Sequence, residues 1–189
     1  MVLNIPNTLT WARIVLIPVF IGVFYLPDSV LTPQHQNELA AWIFVIASVT
    51  DWFDGWLARK LNQTSAFGAF LDPVADKLMV AAALILLVEL ERIGAPVALV
   101  IIGREITISA LREWMARAGK SASVAVAMVG KLKTTAQMVA IVCLLHDQTF
   151  LGIPMRPLGT MLIWIAVVLT LWSLVYYFMR AMPQMREEG

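Results

Sequence analysis

Six apolar runs follow one another along this chain with only short polar breaks between them. They cover 9–27, 38–60, 66–91, 94–117, 122–146 and 157–180. A helix needs about 20 mostly apolar residues to cross a bilayer, so each run is long enough to span one. The breaks are punctuated by Pro27 and Pro33, by Asn62 to Ser65, and by Gly94 with Pro96. Gly119 to Ser123, and Gly152 with Pro154 and Pro157, mark the last two. These are the residues that end helices and make turns. Hydrophobic residues make up 60% of the chain and charged residues 14%, where soluble domains run at roughly 45–50% and 25%. A 189-residue globule has too little interior to hide that much apolar surface. The composition therefore excludes an ordinary soluble enzyme and a disordered chain, and it predicts lipid as the main solvent. The expected fold is an all-α integral membrane protein, with six transmembrane helices in one bundle and a single membrane-embedded domain over 1–189. Asn4-Ile5-Pro6-Asn7-Thr8 has a cap-and-turn pattern, which predicts a short interfacial segment before the first span.

Net charge is +1, so no global field points to nucleic acid. The single cysteine, Cys143, sits in an apolar run and offers neither a disulfide nor a zinc site. The N-terminus lacks the basic stretch and small-residue cleavage site of a secretory signal. Basic residues set the orientation. Arg59, Lys60, Arg117, Lys120, Arg180 and Arg186 fall on one side, and Arg92 and Arg156 on the other. Both termini are thus expected in the cytoplasm, across a bacterial inner membrane.

Charge inside a span is expensive and usually marks function. Runs two and three contain Asp51, Asp54, Asp72 and Asp76. If the two runs form an antiparallel hairpin turning near 63–64, Asp54 and Asp72 lie at equal offsets from the turn, and so do Asp51 and Asp76. Their common depth is on the order of 12 Å below the helix ends. Asp51 and Asp54 are i,i+3 and Asp72 and Asp76 are i,i+4, so each pair shares a helix face. Any one such acid is also compatible with proton transfer or with an arginine partner. Four at one level repel strongly in low dielectric, and they point to bound cations. Carboxylate-only ligation suits Mg²⁺ or Mn²⁺ rather than zinc or copper. Two such ions suit displacement at phosphorus. Gly55, Ala58 and Gly68 leave space beside the acids, either for close helix packing or for a substrate slot. Arg59 is placed to bind a phosphate bidentately.

The complete string is Asp51-x2-Asp54-Gly55-x2-Ala58-Arg59-x8-Gly68-x3-Asp72-x3-Asp76. It resembles, at every fixed position, the signature of the CDP-alcohol phosphatidyltransferase family. The resemblance implies that the four aspartates hold two divalent cations and that Asp76 is the general base. It also implies that Gly55, Arg59 and Ser65 contact a CDP-lipid, with Ala58 and Gly68 in the same groove. The implied reaction is attack of an alcohol on the lipid-linked phosphate of the CDP-lipid, with CMP leaving. Such chemistry is mostly positioning and charge neutralisation, which fits the residue set. The family also implies a homodimer.

The acceptor is addressed by the second half of the chain. Arg104, Arg112, Lys131 and Lys133 lie within runs four and five. They serve either to compensate Glu105, Glu113, Glu89 and the aspartates or to bind an anionic acceptor phosphate. A cationic head group would be repelled. Lys131 and Lys133 point to nearly opposite faces, and Lys131 is the expected pocket residue. Asn4 to Arg13, Arg104-Glu105, Leu111-Arg112-Glu113 and Gly130-Lys-Leu-Lys-Thr-Thr-x-Gln137 are similar to the branch of the family that uses sn-glycerol 3-phosphate. That likeness implies CDP-diacylglycerol and sn-glycerol 3-phosphate as substrates, and it places Asn7 and Thr10 near the nucleotide. Inositol phosphate and phosphatidylglycerol are the alternative acceptors. An ion or proton transporter using the buried acids is the rival from another class, but its broken helices and two-sided access are not suggested here. Pro73, beside Asp72, predicts a kink or a tolerated proline. His35 and His146 read as loop residues rather than ligands. The tryptophans read as belt or packing aromatics.

Overall fold

The computed structural model describes the backbone over 5–61, 66–117 and 127–186, and side chains over 10–50, 71, 73–111, 113–114, 132–176 and 179. It contains six long helices: α1 (Ile5–Gly22), α2 (Pro33–Leu61), α3 (Ala66–Glu89), α4 (Ala95–Arg117), α5 (Ala127–His146) and α6 (Met155–Arg186). A 3₁₀ turn, Val23–Tyr25, extends α1. A two-residue hairpin, β1 (Thr149–Phe150) with β2 (Ile153–Pro154), joins α5 to α6. Each expected apolar run corresponds to one helix.

Of the segment expected at the interface, Asn4 lies outside the described residues and Ile5 to Thr8 are helical. Ile5 to Gly22 is one continuous helix that takes in Asn7 and Thr10. Pro6 does not break it, because the first turn of a helix has no partner for the missing N–H anyway. Pro73 lies well inside α3, which runs through it.

The helices close into a ring. α1 packs on α2, α2 on α5, α5 on α6, α6 on α4, α4 on α3, and α3 back on α1, while α3 also touches α2 and α5 across the ring. The α5–α6 pairing is the most extensive. Gly159 permits it: a Cβ there would lie 2.7 Å from Leu144 Cγ and 3.1 Å from the Ala140 carbonyl oxygen. Small residues let helix backbones approach in this way.

Along the bundle axis the interior has two parts. The half bearing the 23–33, 90–94 and 147–154 connections is apolar. Phe20, Phe44, Ala83, Leu87, Ile101, Ile141, Leu144 and Ile163 fill it. In the other half the buried residues turn polar: Thr10 and Arg13 on α1, Arg104 on α4, Lys133 and Gln137 on α5, Thr170 and Ser173 on α6. The outer surface is the reverse, with Val15, Trp42, Ile46, Ile85, Leu99, Trp164, Val168, Trp172 and Val175 exposed. By length and mean hydropathy one stretch among the described residues, Met155–Tyr176, is long and apolar enough to cross a membrane. Charges within α4, such as Arg104, Glu105 and Arg112, dilute its apolar character.

Arg92 ties the apolar end together. Its Nη1 donates to the carbonyl oxygens of Leu144 (2.9 Å) and Leu145 (2.8 Å), and its Nη2 to Asn37 Oδ1 at 2.7 Å. Asp147 Oδ2 lies 3.5 Å from Arg92 Nε, and the other carboxylate oxygen lies 3.4 Å from Arg156 Nε. One guanidinium thus satisfies the C-terminal carbonyls of α5, where a cation also suits the helix dipole, and holds α2 to the α3–α4 turn. Burial lowers the Arg92 pKa, Asp147 opposes that shift and Arg156 adds to it; an arginine stays charged regardless. Arg92→Ala should destabilise the protein by about 3 kcal/mol, since it strands buried acceptors. Arg156→Ala, at a half-exposed side chain, should cost less than about 1 kcal/mol. Thermal unfolding of the two variants in detergent checks the contrast.

Candidate functional site

The four aspartates of the signature fall on two consecutive helices that touch. Asp51 and Asp54 lie in α2, and Asp72 and Asp76 in α3. Asp51 stands ten residues before the end of α2 at Leu61, and Asp76 ten residues after the start of α3 at Ala66. Asp54 and Asp72 stand seven and six residues from the same ends. At 1.5 Å per residue the pairs lie at matched distances from the helix ends. Because both helices are continuous, the i,i+3 and i,i+4 spacings do put each pair on one face.

The side chains of Asp51, Asp54 and Asp72 lie outside the described residues. So do those of Asn7, Gly55, Ala58, Arg59, Gly68, Arg112 and Lys131, whose backbone is helical, and Ser65 lies outside entirely. Among the described residues no group of three or more His, Cys, Asp or Glu side chains comes together.

Asp76 is described, and it is partly buried. It lines a cavity of about 220 Å³ between α3, α4 and α5. Lys77, Glu105, Thr134 and Gln137 supply the rest of the polar wall, while Ile101, Met138 and their neighbours supply the apolar part. Leu78 and Ile106, also on the wall, are exposed on the outside of the bundle. The cavity therefore reaches the outer surface of the bundle beside Leu78 and Ile106.

Glu105 carries the electrostatics of this wall. Lys133 Nζ donates to Glu105 Oε1 at 2.5 Å, and Arg104 Nη1 donates to the same oxygen at 2.9 Å. Arg104 Nη2 donates to Ser173 Oγ at 3.3 Å, and Ser173 in turn donates to the Thr170 carbonyl. Lys133 is 1% exposed and Arg104 9%. Two cations on one carboxylate leave the trio with a net charge of +1. A buried ion pair is held only when its hydrogen bonds are good, and here one acid on α4 engages a base on its own helix and another on α5.

The structure thus brings together Asp76, Arg104 and Lys133 from the predicted set, with Glu105 between the cations and the cavity. Of the two lysines of α5, Lys133 has its side chain turned into the bundle, on the inward side it shares with 137, 140, 141 and 144; the side chain of Lys131, the expected pocket residue, lies outside the described residues. Arg104 and Lys133 are engaged by Glu105, as the charge-compensation reading has it. Thr10 is 1% exposed and faces the bundle interior. Thr134 and Gln137 form part of the cavity wall without having been assigned a role from the sequence. The signal was available: with Lys133 they are spaced as one face of a helix.

A family model for CDP-alcohol phosphatidyltransferase matches residues 3–172. The chain is 50% identical over 188 residues to a protein of Escherichia coli (strain K12) named CDP-diacylglycerol--glycerol-3-phosphate 3-phosphatidyltransferase, covering 98% of each chain. Proteins of the same name in Shigella flexneri serotype 5b (strain 8401) and Shigella boydii serotype 4 (strain Sb227) match at the same identity and coverage. The chain belongs to the CDP-alcohol phosphatidyltransferase family.

Proposed function

We propose that this protein transfers the phosphatidyl group of CDP-diacylglycerol to sn-glycerol 3-phosphate, giving phosphatidylglycerophosphate and CMP. The names of the relatives, matched over nearly the whole chain, supply the two substrates. The observation that carries the reading in the structure is the cavity lined by Asp76, Lys77 and Glu105, with Lys133 and Arg104 paired to Glu105. A small acceptor seated there has Asp76 as its base and meets Lys77 on the wall, with two further cations beside Glu105.

The reaction is a displacement at phosphorus. An acceptor hydroxyl oxygen attacks the phosphorus linked to diacylglycerol, and the bond from that phosphorus to the bridging oxygen of CMP breaks. Asp76 takes the hydroxyl proton. Arg59, with Gly55, Ala58, Ser65, Gly68, Asn7 and Thr10, belongs to the CDP-lipid side. Arg104, Arg112, Lys131 and Lys133 belong to the acceptor-phosphate side, where entry of a dianion competes with Glu105 for the two buried cations.

Asp51, Asp54, Asp72 and Asp76 would hold two divalent cations, Mg²⁺ or Mn²⁺. Their donor chemistry fits, because four carboxylates offer hard oxygen ligands only, and their matched offsets from the facing ends of α2 and α3 support a shared site. When bound, such ions neutralise charge on the reacting phosphates.

The bundle lies in the bacterial cytoplasmic membrane with six spans, both termini and the active site facing the cytoplasm, and it works as a homodimer. Two features support the membrane placement. Large apolar side chains cover the outside, and charged side chains are gathered inside. That distribution suits a hydrocarbon solvent.

The direct test is CMP release by the purified protein in detergent with CDP-diacylglycerol and Mg²⁺ or Mn²⁺. Glycerol 3-phosphate, inositol phosphate and phosphatidylglycerol are supplied in parallel. Release with glycerol 3-phosphate, abolished by chelator, is expected; release only with another acceptor overturns the acceptor assignment. Asp76→Asn should lower kcat by about 10²–10⁴-fold while leaving the thermal unfolding midpoint near wild type. Near-normal turnover removes Asp76 as base. Arg112→Ala and Lys131→Ala should each raise KM for glycerol 3-phosphate more than KM for CDP-diacylglycerol. Equal changes in both would assign these residues to charge compensation.

A further inference from the structure

Gln137 stands one helical turn beyond Lys133 on the inward face of α5. It is 3% exposed, and it forms part of the cavity wall with Asp76, Glu105 and Thr134. Its Oε1 is buried without a hydrogen-bond partner among the described residues. A buried amide oxygen left in this state bears its full desolvation cost, and such a group calls for a physical reason. Packing is not the reason: methionine or leucine would fill the same space with no polar atom to satisfy. The position of the side chain gives one, because Gln137 borders the space an acceptor would occupy.

The chemistry of the amide narrows the partner. A carboxamide offers an acceptor oxygen and N–H donors on one neutral group. A phosphate has no donor when ionised and would leave Oε1 unsatisfied. A hydroxyl donates and accepts, so it satisfies the amide from either side. Neutrality matters as well, since the same wall already carries the carboxylates of Asp76 and Glu105. A third acid would raise the repulsion, and a cation would compete with Lys133 and Arg104 for Glu105.

We propose that Gln137 hydrogen-bonds the non-reacting hydroxyl of the acceptor polyol, the C2 hydroxyl of glycerol 3-phosphate, and so sets which hydroxyl faces Asp76. The proposal rests on the acceptor reading given above. Gln137 acts as a specificity-determining residue. With the phosphate drawn toward the cations behind Glu105 and the C2 hydroxyl held by the amide, the terminal hydroxyl is the one left to meet the base.

The test uses the full-length protein in detergent with CDP-diacylglycerol and Mg²⁺. It compares glycerol 3-phosphate with 3-hydroxypropyl phosphate, which keeps the phosphate and the terminal hydroxyl but lacks the C2 hydroxyl. The wild type should favour glycerol 3-phosphate by about 10-fold or more in kcat/KM, because the analogue leaves the buried amide unpaired. Gln137→Met should bring that ratio to about one by losing rate on glycerol 3-phosphate, with the rate on the analogue within about threefold of wild type. KM for CDP-diacylglycerol should not move. A wild type that does not discriminate, a variant with an unchanged ratio, or an equal loss on both acceptors overturns the proposal. If the methionine variant does not fold, Gln137→Asn, which withdraws the amide by one methylene, is expected to lower the ratio, and an unchanged ratio there overturns it too. Failure of the acceptor reading itself looks different, since the wild type would then release CMP only with some other acceptor.

Discussion

An ionised side chain inside this bundle has to find its counter-charge and its hydrogen bonds within the protein, because the surroundings proposed for it supply neither. That constraint organises the polar half of the molecule. Arg104 on α4 and Lys133 on α5 come from helices that α6 separates in the ring, and they share one oxygen of Glu105. Arg104 also reaches Ser173 on α6. The single acid therefore joins α4 to α5, and through Arg104 the trio reaches α6. A second tie works at the other end, where Arg92 gathers α2, α5 and the α3–α4 turn. Between the two ties lies the tightly packed apolar core. The fold is clamped at one end for stability and charged at the other for chemistry.

This division explains why the site is where it is. α1, α3, α4, α5 and α6 each pass from apolar interior residues into polar ones at about the same level. On α3 the change comes between Met79 and Asp76, on α4 between Ile101 and Arg104, and on α5 between Ala140 and Gln137. The apolar half supplies the packing energy and fixes the helices rigidly. The polar half is left with a cavity, since charged residues that face one another need room for the groups that will satisfy them. A site built on helices held in this way keeps its first contacts in place better than one carried on loops.

Much of the fold was legible in the sequence because each helix announces itself by a long apolar run with proline or glycine at its ends. The signature was legible for a different reason. Acids at i,i+3 and i,i+4 spacing in such runs have no structural excuse, so their spacing carries the geometry. Less visible was the burial of Lys133, because the polar and apolar faces of α5 are not sharply divided by composition; it shares the helical phase of Ala140, Ile141 and Leu144. At the N-terminus Asn-Ile-Pro-Asn-Thr looks like a cap, and the helix begins within it, with Pro6 at home in the first turn. The Arg92 tie was invisible, since its partners at 37, 144, 145 and 147 lie far from it in the chain.

Glu105 gives the polar half its remaining consequence. A pocket meant to receive a phosphate dianion cannot keep bare cations buried beforehand, because unpaired buried charge is too costly to hold. Nor can it hold them in a pair so complete that the ligand gains nothing. Two bases on one carboxylate, with Lys133 and Arg104 donating to the same oxygen, meet both demands. The cations are satisfied enough to stay inside the bundle, and the shared carboxylate leaves each of them less than fully paired by Glu105 alone. Gln137 extends the same logic to a neutral group, with a buried oxygen left one partner short until the cavity is filled.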